Sequence, residues 1–258
     1  MPTISDLFVH PVKSLDSHRV DSARLRESGA LDGDRQYAIV DEDREYVNGK
    51  RERAVHRIES SFDPEARALT VSAPDRDAAT FSLDAERGSL NAWLSEYFGY
   101  PVSVIRDPGG MPDDTDASGP TVISRETLDA VAGWFDGIDA TEMRRRLRPN
   151  IIIEAGEPFW EDQLYADRDS VVPFRLGDAE LAGVNPCQRC VVPTRDPDTG
   201  AETEGFRERF VERREATLPE WVDRDWYDHY FRLMVCTRLG EDAAGSTLRV
   251  GDEVTVIE

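Results

Sequence analysis

The chain has 258 residues, 52 acidic against 31 basic side chains, and a formal net charge of −21. A phosphate backbone would be repelled by that field, which argues against a nucleic-acid partner. Apolar stretches such as Ile151 to Ile153 fall far short of the roughly 18 to 20 residues of a spanning helix, and no basic, apolar leader precedes the first strand-like segment, so no membrane is expected and the cytoplasm is the default location.

In chain order, Ile4 to His10 alternates as a strand. Gln36–Val40 and Glu45–Lys50 read as a hairpin around Asp41-Glu42-Asp43-Arg44, and Ile58–Phe62 with Leu69–Ala73 as a second one around Asp63-Pro64-Glu65-Ala66. Ser89 offers an N-cap to a short helix carrying Leu90, Trp93, Leu94, Tyr97 and Phe98, which Gly99 and Pro101 stop. A strand over Val102–Ile105 closes this section. Asp107 to Pro120 holds three Pro, three Gly and four Asp with no apolar period, and the domain boundary is placed there. Helices are expected over Thr127–Phe135 and Glu142–Leu147, the second ended by Pro149 before a strand over Asn150–Glu154. Short strands bracket Gly177-Asp178 and Gly251-Asp252, which suggests a closed or nearly closed β-barrel. The aromatic stretch with Trp221, Trp226, Tyr227, Tyr230 and Phe231 reads as core packing, or as a cap over a site.

Lys13 and Lys50 are the only lysines, and arginine supplies every other basic side chain. With so large an acid excess this resembles adaptation to a salt-saturated cytoplasm, where counterions screen self-repulsion. Codon bias would explain the arginine but not the charge.

The most informative stretch is Asn185 to Gly200, with Cys187-Gln188-Arg189-Cys190 after a predicted strand and before a Pro-rich turn. Zinc would need further ligands from Cys236 or the scattered His10, His18, His56 and His229. A redox dithiol, an inert pair, or one cysteine acting as soft ligand or nucleophile are the other possibilities. Lys13, Arg35 and Arg148 lie in polar loops, where they suit a phosphate and a polar heterocycle, with Ser14 and Asn150 as neutral partners. Arg144 to Arg146 read as a solvated helix face.

Taken together, these segments resemble one family. Cys190-Val191-Val192-Pro193-Thr194-Arg195-Asp196-Pro197-Asp198-Thr199-Gly200 is similar to the cysteine motif of MOSC-domain proteins. His10-Pro11-Val12-Lys13-Ser14 and Gly33-Asp34-Arg35 resemble signatures of the N-terminal β-barrel-type domain that accompanies it, and Arg148-Pro149-Asn150-Ile151 resembles the family's Arg-Pro-Asn segment. The resemblance is strongest to the amidoxime-reducing type, which includes the mitochondrial amidoxime-reducing component. It implies an α+β, β-rich fold: an N-terminal β-barrel-like domain over residues 1–108, then a MOSC β-barrel with a few short helices over residues 109–258.

The same resemblance implies a molybdenum cofactor (Mo-molybdopterin), with Cys190 as catalytic thiolate and molybdenum ligand, a soft donor for a metal already bound by sulfur. Lys13, Ser14, Arg35, Arg148 and Asn150 would hold the pterin and its phosphate. Ser124 would either add a hydroxyl and nearby N–H groups or be a plain N-cap. Cys187 is then not the ligand. The implied activity is reduction of a small N-hydroxylated substrate, independent of pyridoxal phosphate; the alternative is a carrier of the cofactor or of sulfur. No dinucleotide fingerprint or flavin motif occurs, and three cysteines are too few for an iron–sulfur cluster. Neither an appended ferredoxin-like domain nor a membrane anchor is expected, so electrons would come from a separate soluble ferredoxin- or cytochrome-type donor with its reductase.

Overall fold

The computed structural model describes residues 1–222, 224 and 227–257. Trp226, one of the aromatic segment, lies outside the described residues. In the first part of the chain the strands are β1 (Thr3–Val9), β2 (His18–Val20), β3 (Ser22–Arg24), β4 (Tyr37–Asp41), β5 (Glu59–Asp63), β6 (Ala68–Ala73), β7 (Arg76–Ser82) and β8 (Val102–Arg106), with helix α1 (Arg87–Phe98) before β8. The second part holds β9 (Val122–Ser124), α2 (Arg125–Ala132), α3 (Ala140–Leu147), β10 (Ile151–Glu154), β11 (Val172–Leu176), β12 (Ala179–Gln188), α4 (Phe206–Thr217), β13 (Arg232–Leu239), β14 (Thr247–Arg249) and β15 (Val254–Val256). The fold is α+β and strand-rich.

The expected 36–50 hairpin starts but is not completed. Its turn closes, and Val40 bridges Tyr46, but β4 then pairs along its length with β8. Val47 N–H also donates to Ile39 O at 2.9 Å, so residues 45–47 and β8 take opposite edges of β4; β8 brings Val102 and Val104 to the core, and 45–50 contributes Val47. The second hairpin forms as β5 and β6, and β7, which the sequence reading missed, extends it to a three-stranded meander. Helix α1 starts at Arg87 with Glu86 as N-cap, three residues before the expected N-cap Ser89, and ends at left-handed Gly99 (φ 79°). Its Leu90 and Leu94 pack with Val55, Leu69, Val71 and Leu83 in one core.

A large sheet runs β15-β11-β12-β13-β9-β10-β1-β2. Its ends meet: Thr3 bridges Glu253, Val254 N–H donates to Pro2 O and Gly251 N–H to Ile4 O, so β1 lies against the start of β15 and the barrel closes. The first strands of the chain belong to this sheet, and β14 and β15 bracket Gly251-Asp252 as expected while pairing elsewhere, β14 with β3 and β15 with β11. Alternation along the strands sorts the side chains. Leu7, Ile151, Ile153, Val122, Val235 and Phe174 form one core, while Phe8, Ile152, Ile123 and Met234 face the opposite way and pack with residues of α2, α3 and α4. Phe231 joins that second layer, edge-on to Phe210 at 4.9 Å, as the core-packing reading expected, whereas Trp221 is half exposed and departs from it. Among the described residues no helix is long and apolar enough to cross a membrane.

Candidate functional site

A cleft of about 750 Å³ opens between the barrel and the loops of the first part. Lys13, Ser14, Arg35, Arg148, Asn150 and Cys190 all line it, and so does the 107–120 segment through Met111 and Asp113. Ser124 does not. Its side chain is fully buried, accepts from Thr127 N–H at 3.2 Å as the N-cap of α2 and meets Thr127 Oγ1 at 2.7 Å, which corrects its proposed place beside the cofactor.

The backbone bends sharply to present these groups. Ser14 (φ 77°), Arg35 (46°) and Arg148 (57°) adopt left-handed conformations that cost L-residues energy, and Arg148 does so as the C-cap of α3. Such strain persists because neighbours fix it: Lys13 N–H donates to Tyr37 O at 2.7 Å, Arg35 N–H to His10 O at 2.7 Å, and Arg148 Nη2 to Leu15 O at 2.6 Å. Lys13 Nζ donates to Met111 O at 3.1 Å, pairs with Asp113 Oδ1 at 2.7 Å and lies 4.9 Å from the Tyr46 ring centroid.

Behind them lies a buried polar set. Asp34 accepts from His10 N–H at 2.7 Å, approaches His10 Nδ1 at 3.3 Å and pairs with the Arg35 guanidinium. Burial opposes the Asp34 charge, but Arg35 and His10 hold its carboxyl well below the usual carboxylate range. Burial, reinforced by Arg148, draws His10 down to about 3, so its imidazole is neutral near pH 7. Burial and then Arg35 lower Arg148 to about 10, which leaves it charged. The Asn150 amide accepts from Thr121 N–H at 3.3 Å and donates to Phe8 O at 3.1 Å, so this residue braces the wall as well as lining it.

The three cysteines are sorted by the strands. Cys187 on β12 is bonded to Cys236 on β13 (Cα–Cα 5.5 Å), and Cys190 is free. A Cys187–Cys190 disulfide is therefore not what forms here. Among the described residues no group of three or more His, Cys, Asp or Glu is placed to hold a metal, so the zinc alternative finds no ligand set. The rest of the motif builds the loop. Asp196 accepts from Thr199 N–H at 2.7 Å and Asp198 N–H at 3.0 Å, and a Cβ on Gly200 (φ 69°) would meet Arg53 O at 2.8 Å. Only glycine allows that approach. Arg195 donates to Gly49 O, so the loop after Cys190 is fastened to the first part of the chain.

Sequence reasoning missed three arginines. Arg146, expected on a solvated face, is 3% exposed and donates to Pro193 O at 2.9 Å and Thr203 Oγ1 at 3.0 Å, bracing the cysteine loop. Arg189, within the Cys-x-x-Cys itself, donates to Leu147 O at 2.8 Å, and burial lowers its pKa. Arg189 and Arg232 both line the cleft, and each leaves a buried Nε without a hydrogen-bond partner. Their signal was only an arginine next to the motif or on a later strand. Arg145, on the same helix as Arg146, pairs with Asp198 at the surface.

Residues 1–101 match the MOSC N-terminal beta barrel domain and residues 116–255 the MOSC domain. The chain is similar to molybdenum cofactor sulfurase of Danio rerio, at 26% identity over 78% of this chain and 29% of that protein. It is also similar to mitochondrial amidoxime reducing component 2 of Bos taurus (21%, covering 77% and 68%) and mitochondrial amidoxime-reducing component 1 of Homo sapiens (23%, covering 77% and 67%). The chain thus spans less than a third of the sulfurase and about two thirds of the amidoxime-reducing components. A solved hypothetical protein superposes with a TM-score of 0.42 at 10% identity, covering 100% of this chain and 68% of that one, too remote a likeness to bear on function. The chain belongs to the MOSC-domain family, with the MOSC N-terminal β-barrel domain preceding the MOSC domain.

Proposed function

We propose that the cleft holds a molybdenum cofactor with Cys190 as the metal's protein ligand, and that the chain reduces small N-hydroxylated compounds. One observation carries the reading: the thiol left free stands in a cleft where Lys13, Arg35, Arg148, Arg189 and Arg232 converge within a chain of net charge −21. The residues fit such a group. A thiolate is a soft donor suited to a sulfur-bound metal, and the orphaned Nε atoms of Arg189 and Arg232 are surplus donors beside an anion site.

Lys13, Arg35 and Arg148 would hold the phosphate, with Ser14 and Asn150 beside the heterocycle. When bound, the cofactor supplies two-electron redox chemistry. Arg146 and Gly200 keep the Cys190 loop in place, and neutral His10 orients Asp34 against Arg35 without adding charge. Electrons come from a separate ferredoxin- or cytochrome-type donor. The test is turnover of an N-hydroxylated amidine by molybdenum-loaded protein with a chemical reductant, and none with NADH alone. The similarity to molybdenum cofactor sulfurase favours a second reading, a carrier of the cofactor or of sulfur on Cys190. Loaded protein that stays inert with every reductant would select it.

A further inference from the structure

We propose that the Cys187–Cys236 disulfide is a reversible bond that keeps Cys190 free by occupying its Cys-x-x-Cys neighbour. All three cysteines of the chain line the one cleft. Two thiols separated by two residues readily close on each other, and a cysteine with a second thiol at hand is resolved into a disulfide once oxidised. Cys190 therefore sits beside the residue best able to consume it.

The fold supplies Cys187 with a competing partner. Cys187 is near the end of β12, 4% exposed and packed within the layer formed by Phe8, Ile152, Phe231 and Met234, and Cys236 on the adjacent β13 packs against the same layer. The Cα separation of 5.5 Å is in the middle of the range disulfides adopt. Beyond Gln188 the chain leaves the sheet, and Cys190 stands half-buried before the 3-10 turn Val192–Thr194. Strand pairing thus sets Cys187 towards Cys236, and the loop carries Cys190 out of the sheet. Closing the bond takes two protons and two electrons from the Cys187 and Cys236 thiols. With hydrogen peroxide as oxidant the products are one disulfide and two waters, and a dithiol reductant reverses the step by becoming a disulfide itself. The bond also ties β12 to β13 immediately before the Cys190 loop.

This deepens the cofactor reading, because it names what keeps the ligand thiol available, but its test needs no cofactor. The full chain is reduced, treated with a small excess of hydrogen peroxide, unfolded in urea so that any metal-bound thiol is released, alkylated and digested without reductant, and its linked peptides are mapped. Wild type should keep one alkylatable thiol, at Cys190, with Cys187 linked to Cys236. In Cys236→Ser and Cys236→Val, the second chosen to keep the β13 packing, alkylation of Cys190 should fall about tenfold or more as Cys187 links to it, and dithiothreitol should restore it. Cys187→Ser/Cys236→Ser should keep Cys190 alkylatable. A Cys187–Cys190 link in oxidised wild type would overturn the proposal. So would a Cys190 that stays fully alkylatable in both Cys236 variants. Molybdenum content measured on the same preparations separates the two ideas, since absent metal removes the cofactor reading and leaves the linkage map standing.

Discussion

Two groups of buried charge in this molecule both set carboxylates against arginine and resolve their surplus differently. Behind the cleft, Asp34 is shared by His10 and Arg35, with Arg148 nearby, so the surplus is positive and faces an open cavity. The other group is sealed. Glu161 and Asp162, at 0% and 3% exposure, share Arg214 at 1%, whose Nη2 meets Asp162 Oδ1 at 2.6 Å. Glu161 Oε2 accepts from Thr127 Oγ1 at 3.0 Å and Ser124 N–H at 3.2 Å, while Glu161 Oε1, Asp162 Oδ2 and Arg214 Nη1 have no hydrogen-bond partner. Here the surplus is negative, and burial together with Asp162 pushes Glu161 up to about 7. A proton can settle the sealed surplus. The open one suits an anionic ligand.

The largest expected effect separates the two groups by stability. Arg214→Met strands the Asp162 carboxylate and should cost about 3 to 5 kcal/mol in urea unfolding, and Arg214→Met/Asp162→Leu should recover most of it. A loss below 1 kcal/mol, on the scale of an exposed ion pair, would show that the cluster is not sealed. In the cleft the effect should fall on binding. Lys13→Ala and Arg35→Ala should each weaken cofactor retention by about 1.5 to 3 kcal/mol, read as molybdenum per chain after dialysis. Asp113→Asn should act in the opposite direction, because the Asp113 carboxylate already pairs with Lys13 and an incoming anion must displace it. Unchanged retention in all three variants would move the anion site elsewhere.

A smaller effect depends on pH. Glu161 has a folded pKa of about 7, raised from the 4.5 of a free side chain, so its contribution is fully present below about pH 4.5 and is lost as pH rises through 7. Glu161→Gln keeps the neutral form and should gain on wild type by on the order of 2 to 3 kcal/mol between pH 5 and pH 8. A difference constant with pH would mean that the carboxyl is not desolvated. Salt is the weakest lever on the comparison. The sealed cluster should ignore it, while phosphate binding in the cleft weakens as the Debye length falls from about 10 Å at 0.1 M to about 3 Å at 1 M. The acidic surface should meanwhile gain stability, and an unfolding midpoint that stays flat up to molar KCl would remove the salt-adapted reading.

The parts of the site that could be read from the sequence are those written as contiguous chemistry. Lys13-Ser14, Asp34-Arg35, Arg148-Pro149-Asn150 and Cys190 each lie in a short loop with its own turn residues, and the structure brings all of these segments to one cleft. Ser124 illustrates the limit. A serine before a helix looks the same whether its hydroxyl faces a ligand or caps Thr127, and only the burial of β9 decides. Arg146, Arg214 and Asp162 were illegible for a related reason, since their partners, Pro193, Thr203 and one another, lie far away in sequence. The short strands fared likewise. β3 finds β14, and β4 takes β8 on the edge away from its own turn, because pairing follows buried side chains that no local window contains.

The central claim is that Cys190 is the protein ligand of a molybdenum cofactor in this cleft. It is tested most directly by elemental analysis of purified wild type, Cys190→Ser and Cys187→Ser. The account predicts molybdenum near one atom per chain in wild type, most of it kept in Cys187→Ser and nearly all lost in Cys190→Ser, because an alkoxide is a harder and poorer match for the metal. Equal loss in the two variants, or wild type carrying zinc instead of molybdenum, would contradict it.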